Sequence, residues 1–268
     1  MKFDLHTHHE RCGHAQGSLR EYVEAAIANG LAMIGLSDHS PLFAETEDQP
    51  YKGRTMAKSS FPAYVKEMLQ LKQEYQDRIE VLAGVESDYF PEHERLYRDI
   101  YASYPLDYVI GSVHYMNGSH IFAARRWEDA DEEELLRDKI TYLQLIQQSA
   151  RSGLFQILGH IDAIKKNIPA FASIETPALD ETLKVIAEHD VAIEVNTSGT
   201  YNRCAGWFPD DDILQRACFY GIKVTFGSDA HVPDRVGDQW EQVRQRLREI
   251  GFREWAVFRQ RKRMLLPL

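Results

Sequence analysis

The stretch FDLHTHHERCGHA, Phe3 to Ala15, sets four histidines and a cysteine directly behind Phe3 and Leu5, two apolar residues that open a strand. On an extended chain His6 and His8, two positions apart, project to the same side and can reach a common centre, whereas His9, at an odd offset, points away. The reading of the rest of the chain follows from what stands behind this strand and what recurs at the ends of later ones.

Short apolar and β-branched runs recur, each followed by a segment of helical length and amphipathic pattern, in seven units. The strand runs are KFDLH, AMIGLSDH, IEVLAGVES, DYVIGSVHY, FQILGHID, AIEVNTSG and KVTFGSDAH. Between them lie SLREYVEAAIANG, FPAYVKEMLQLKQEYQD, PEHERLYRDIYASY, DEEELLRDKITYLQLIQQSARSG and TPALDETLKVIAEHD. Ser18 and Glu21 form a capping box, and Gly30 stands where a helix stops. Strands apolar on both faces and alternating with helices imply parallel pairing with right-handed crossovers, hence an α/β fold, either closed into a barrel or lying open and doubly wound. A chain of 268 residues with no Pro/Gly/Ser-rich linker, repeat or low-complexity tract is expected to form one domain, residues 1–268. Ser40 to Ser60 is too long for an ordinary connection and is expected to lie over a site. The basic tail FRQRKRM is expected to be a solvated last helix.

In every unit but the sixth, a potential metal ligand stands at the carboxyl end of the strand. His6 and His8 follow FDL, His39 ends GLSDH, Glu86 ends LAGVE, His114 ends IGSVH, His160 ends ILGH, and Asp229 and His231 end FGSDAH. In a barrel those ends converge on one mouth, where such folds hold their active sites. Imidazole and carboxylate without cysteine partners suit Zn²⁺, Mn²⁺ or Fe²⁺ in an open site. With His14 included, the ligands exceed one coordination sphere, so two to three divalent ions are expected, with a carboxylate such as Glu86 sharing its two oxygens between them. His9, His93, His120, His189 and Cys12 are read as structural.

The balance of 41 acidic against 31 basic residues, a formal charge of −10, repels a phosphate backbone and argues against a nucleic-acid polymer or an anionic membrane as partner. An anionic substrate must then meet local positive charge, which divalent ions supply. Three scattered cysteines suggest no disulfide framework, and no run approaches the roughly 18 apolar residues of a membrane span, so a cytoplasmic location is expected. Nothing in the sequence speaks to oligomeric state.

Taken in order, HTHHERCGHA, LSDHS, GVESDY, GSVHY, LGHID and FGSDAH resemble the PHP (polymerase and histidinol phosphatase) superfamily of metal-dependent phosphoesterases, from Phe3 to about Gly237. The resemblance implies a distorted seven-stranded, (βα)7 TIM-like barrel with a trinuclear centre. His6, His8, Glu86 and Asp229 would hold the first ion, Glu86, His114 and His160 the second, and His14, His39 and His231 the third. Within the superfamily, SVHY, MAKSSFPAYVKEM, EVNTSG and SDAHVPDRVG look most like the stand-alone enzymes that hydrolyse histidinol phosphate in histidine biosynthesis.

On that reading the substrate is a small phosphomonoester, attacked by a metal-bound hydroxide, with Glu86, Asp229 and His231 at the catalytic centre. Asp38 could orient a neighbouring imidazole or serve an ordinary turn. Tyr115, Lys165 and Arg203 are candidate grips for the substrate. Two alternatives stay open: a phosphodiesterase or nucleotidase of the same superfamily acting on a small nucleotide, and a non-catalytic metal-binding module.

Overall fold

Each apolar run marked in the sequence begins a strand in the computed structural model, which describes residues 1–50 and 53–268. In chain order the elements are β1 (Phe3–Asp4), α1 (Leu19–Ala28), β2 (Met33–Leu36), α2 (Phe61–Glu74), β3 (Glu80–Ala83), β4 (Glu86–Asp88), α3 (Glu94–Ala102) and β5 (Ile110–Ser112). They continue with β6 (Tyr115–Met116), β7 (Ser119–His120), α4 (Glu132–Ser152), β8 (Ile157–Leu158), α5 (Ala170–Ser173), α6 (Pro177–Glu188) and β9 (Ala192–Asn196). The last are α7 (Asp211–Phe219), β10 (Val224–Gly227), α8 (Trp240–Ile250), β11 (Glu254–Arg259) and β12 (Lys262–Pro267).

The helix starts follow from local chemistry. Ser18 and Glu21 cap α1 reciprocally, Asp131 and Glu134 do the same for α4, and Thr176 caps α6 ahead of Pro177. The strands β2, β5, β8, β9 and β10 are buried throughout, as strands covered on both faces must be.

β1, β2 and β3 pair in parallel as one sheet, and a second runs β12-β11-β10-β9-β8-β5-β4, parallel except for the closing β11–β12 pair. Isolated contacts join the two sheets at both borders. Leu5 N donates to Phe226 O at 3.1 Å and Thr7 bridges Ala230 on one side, while His39 bridges Glu86 on the other. The third expected strand is broken between β3 and β4 at Gly84 and Val85, and Tyr108 packs against the break. Its ring lies so close that a Cβ on Gly84 would stand 2.4 Å from Cζ, and one on Gly35 would stand 1.9 Å from Oη. The Tyr108 hydroxyl donates to Leu5 O at 2.6 Å, tying β5's lead-in to the end of β1. One cluster of buried apolar side chains runs from Phe3 to Leu268.

The expected last helix in FRQRKRM is instead a hairpin of β11 and β12. Gln260 and Arg261 form its tip with φ of 50° and 62°, the pair of positive values that a tight two-residue hairpin turn requires. Asp107 holds that tip through Gln260 N, at 3.0 Å from Oδ1, and Arg261 N, at 2.8 Å from its carbonyl. Arg259 pairs with Glu80 and Arg263 with Asp190, so charges that would face water on a helix tie the hairpin to β3 and to the turn ahead of β9. β11 pairs with β10 at Val224–Trp255, next to where Leu5 meets Phe226, so the hairpin enters at the border between the two sheets. Among the described residues no helix is long and apolar enough to cross a membrane.

Gly35→Ala is expected to cost about 1–3 kcal/mol, the usual range for overpacking a filled core, because the new methyl overlaps the Tyr108 hydroxyl. Urea titration measures it; a loss under about 0.5 kcal/mol would mean that Tyr108 yields freely to the added methyl.

Candidate metal centre

Parallel strands deliver their carboxyl ends to one side, and the histidines are found there. A cavity of about 560 Å³ is lined by His14, His39, Glu86, His114, His160, Asp229 and His231. His6 and His8, at 0 % and 1 % exposure, do not line it but reach the same carboxylates. His8 Nε2 lies 2.9 Å from Asp229 Oδ1, and His6 Nε2 lies 3.5 Å from Glu86 Oε2. The two-residue spacing does bring this pair to one side, with Nε2 atoms 3.0 Å apart. All nine candidate ligands are thus gathered around Glu86 and Asp229, with His14 at the exposed rim, its Nε2 2.9 Å from that of His231.

The outward nitrogens of the rings are anchored. His6 Nδ1 donates to Glu194 Oε1 at 2.6 Å, His8 Nδ1 to Asp38 Oδ1 at 3.2 Å, and His114 Nδ1 to Asp88 Oδ1 at 3.0 Å. His231 Nδ1 faces the Asp229 carbonyl at 2.9 Å, and His14 Nδ1 that of Cys12 at 3.4 Å. An imidazole that donates through Nδ1 presents the Nε2 lone pair on its other side, so five rings are oriented to ligate inward. Asp38 therefore orients His8; it also pairs with His9, which packs on Tyr64 and lines no part of the cavity. Sequence reasoning missed Glu194 and Asp88. The signal for Glu194 was an acid alone in an apolar strand, AIEVN.

These residues fit divalent ions on two counts. The Nε2 atoms of His6 and His8, and of His14 and His231, face one another at hydrogen-bond distance, an approach that two lone pairs cannot share unless a cation or proton lies between. Moreover Glu86 Oε2 is buried without a hydrogen-bond partner, although His39 Nδ1 is 2.7 Å, His6 Nε2 3.5 Å and His8 Nε2 3.6 Å away. Three overlapping triplets, His8/His39/His231, His6/His8/Glu86 and His39/Glu86/His114, each keep their donor atoms within 4.8 Å of one another.

The electrostatics divide the rings. Burial opposes ionisation of Glu86 and Asp229, but the surrounding imidazoles outweigh it and hold both well below the usual carboxylate range. Burial likewise favours neutral His6, His8 and His114, yet their carboxylates raise all three, His8 to about 9. Burial together with the nearby imidazoles lowers His39, lowers His14 to about 4 and lowers His231 to about 3, so these rings are neutral near pH 7.

The candidate substrate grips part company. Tyr115 lines the cavity. Lys165 does not: it is buried at 2 % exposure, pairs with Asp162 at 2.7 Å and with Asp210, and lines a separate cavity of about 600 Å³ beside α4, α6 and α7. The neighbouring Lys166 lines the histidine cavity instead, packed on Phe122 at 4.2 Å. Lys165 ends a single short helical turn, Ala163–Lys165, and Lys166 follows it; a one-residue step on such a turn changes sides. Arg203 is exposed and does not line the cavity, whereas Arg54 does. His120, read as structural, also lines it, parallel to the His114 ring at 5.8 Å. Within the long stretch Ser40 to Ser60, Gly53, Arg54 and Thr55 reach the cavity, and positions 51 and 52 lie outside the described residues.

An α/β fold with histidines and carboxylates gathered at the ends of parallel strands defines a class of proteins able to hold metal ions. Within it the chain belongs to the PHP domain family, which matches residues 4–198. It is 34 % identical to a Deinococcus radiodurans protein named a probable histidinol-phosphatase, over 97 % of each chain. It is 30 % identical to the histidinol-phosphatase of Bacillus subtilis, covering 92 % of this chain and 99 % of the relative. The crystal structure of histidinol phosphate phosphatase from Lactococcus lactis, a complex with zinc, L-histidinol and phosphate, shares the fold with a TM-score of 0.81 at 24 % identity, over 98 % of both chains.

Because the pKa of His6 is raised well above its ordinary value and that of His8 to about 9, these two rings hold protons near pH 7 that an arriving cation must displace. Metal affinity should therefore fall as pH drops below 7 and rise from pH 7 toward 9. Calorimetry in buffers of different ionisation enthalpy should register at least one proton released per chain. Binding with no proton release and no pH dependence would remove these two rings from the ligand set.

Proposed function

We propose that this chain hydrolyses L-histidinol phosphate to L-histidinol and phosphate, using two to three divalent ions of the Zn, Mn or Fe type. The observation that carries the reading is the nine-residue cluster of imidazoles and carboxylates opening into a cavity whose other walls are cationic and aromatic, in a chain that matches histidinol-phosphatases along nearly its whole length. In this reading His6, His8, Glu86 and Asp229 hold one ion, Glu86, His114 and His160 a second, and His14, His39 and His231 a third. The overlap of the three triplets, with His8, His39 and Glu86 each counted twice, supports a polynuclear rather than a single-ion centre. Ions so held would lower the pKa of a coordinated water and offset charge on a phosphoryl group.

The chain's own residues set the remaining conditions. Glu86, Asp229 and His231 line the cavity, and in this reading they would border the reacting phosphoryl group as the catalytic residues. Asp229 keeps its place by accepting from Ser198 Oγ at 3.0 Å and Asn196 Nδ2 at 3.3 Å. Lys166 and Arg54 offer positive charge to the phosphate oxygens, and Tyr115, Phe122 and Phe208 offer flat apolar surface to the imidazole end of the substrate. The bridging contacts at both sheet borders support a distorted (βα)7 TIM-like barrel, and the continuous core supports a single domain over residues 1–268. Three free cysteines and a small metabolite as substrate suit the cytoplasm.

Histidinol phosphate should be turned over with kcat/KM within about 10⁴–10⁸ M⁻¹s⁻¹, and a diester with a similar leaving group far more slowly, because a monoester dianion offers one more charged oxygen to the centre. A chelator should abolish turnover and fresh Mn²⁺ or Zn²⁺ restore it. Glu86→Gln should cost more activity than His14→Ala, and Lys166→Ala should act mainly on KM. A better rate on the diester, or equal rates on generic monoesters, would retain a metal-dependent phosphoesterase but reject this substrate.

A further inference from the structure

The sixth β-α unit ends in no inward ligand, yet its strand, β9, carries Glu194 at 1 % exposure. Three donors converge on that carboxylate. Oε1 accepts His6 Nδ1–H at 2.6 Å, and Oε2 accepts the His160 amide at 3.1 Å and Asn196 Nδ2 at 3.0 Å. Asn196 carries the network on to Asp229. One side chain that ligates nothing thus touches a residue after β1 and one after β8, and reaches a third after β10 through one intermediary.

Two features show that the fold makes room for it. A Cβ on Gly227 would stand 1.9 Å from Glu194 Oε1, so β10 has an unfilled position where the carboxylate sits. His160 has φ of 25° and Asp229 of 53°, values that residues other than glycine hold only when their surroundings over-determine them. The Glu194 oxygen on the His160 amide is one of the contacts that does so.

We propose that Glu194 is a positioning residue for the metal centre. It fixes the His6 ring with Nδ1 outward and Nε2 turned to Glu86 and Asp229, and it fixes the His160 backbone so that His160 Nε2 lies 3.0 Å from Glu86 Oε1. The inference rests on the metal-centre reading above. A glutamine in its place has nearly the same shape but only one accepting oxygen. Its NH₂ must face either the two donors at the Oε2 side or His6 Nδ1. In the second arrangement His6 keeps a hydrogen on Nε2 and its lone pair points away from the centre.

The test is cadmium-loaded protein with ¹⁵N-labelled histidine, read by ¹¹³Cd–¹⁵N coupling, together with Zn²⁺ affinity by chelator competition. Wild type should show His6 bound through Nε2. Glu194→Gln should lose that coupling and bind its tightest Zn²⁺ about 10–100-fold more weakly, the usual cost of removing a partner behind a ligand. Glu194→Asp, which keeps both oxygens on a shorter arm, should restore Nε2 coupling with an intermediate affinity. If Glu194→Gln lowers the unfolding temperature but leaves coupling and affinity as in wild type, Glu194 is a structural acid and the proposal is overturned. If wild type itself gives no cadmium signal, the metal-centre reading fails and takes this assignment with it.

Discussion

Glu86 keeps a negative charge at 1 % exposure, and Ser112 Oγ, at 2.6 Å, hydrogen-bonds to it alongside His160. Burying a carboxylate in so dry a place costs several kcal/mol unless positive charge or strong donors replace water. His6, His8, His39, His114 and His160 come from the ends of four strands to supply that replacement. Much of the architecture on this side of the molecule follows from that demand. Strands must end at matched heights, and their last residues must turn inward rather than continue the ladder. Three of the strands that feed the site, β1, β5 and β8, accordingly stop after two or three residues.

Turning a ring inward is not enough, because a free imidazole rotates and exchanges tautomers. The backs of the rings are therefore fastened to acceptors that come from other strands: Glu194 to His6, Asp38 to His8, Asp88 to His114. The outer carboxylates also keep protons on Nδ1 and so reserve Nε2 for the centre. The two layers of charge are interdependent. The outer acids aim the imidazoles at Glu86 and Asp229, and the imidazoles offset the burial that opposes ionisation of those two acids.

The strand-end pattern was legible because parallel strands share one polarity: any residue just past a strand's carboxyl end must lie on the same side of the sheet as every other. This made it readable without coordinates that the strand-end candidates, from His6 to His231, would gather on one side. What could not be read depends on long-range partners or on single-residue offsets. The charges of FRQRKRM suit a solvated helix until Glu80, Asp107 and Asp190, far away in sequence, are placed beside them. Lys165 and Lys166 are equivalent on paper, and only the turn between His160 and Lys166 decides that one meets Asp162 and Asp210 while the other meets the cavity. Glu194 was visible as an oddity in β9, but its meaning required knowing that β9 lies between β8 and β10, where His160 and Gly227 approach it.

The chain's overall charge of −10 would repel a phosphate dianion at a distance, so attraction has to be local. The geometry arranges this by depth. Negative charge at the centre is concentrated on Glu86 and Asp229, and protons on His6 and His8 offset it. Nearer the opening, the neutral rings of His14 and His231 add no repulsion, and Lys166 and Arg54 add positive charge at the wall. Exchanging protons for divalent ions would then raise the positive charge at the cavity floor without altering the acidic exterior, which concentrates the field where the phosphoryl group reacts. An acidic surface and an anionic substrate are compatible because the field that matters is set within a few ångströms by nine side chains.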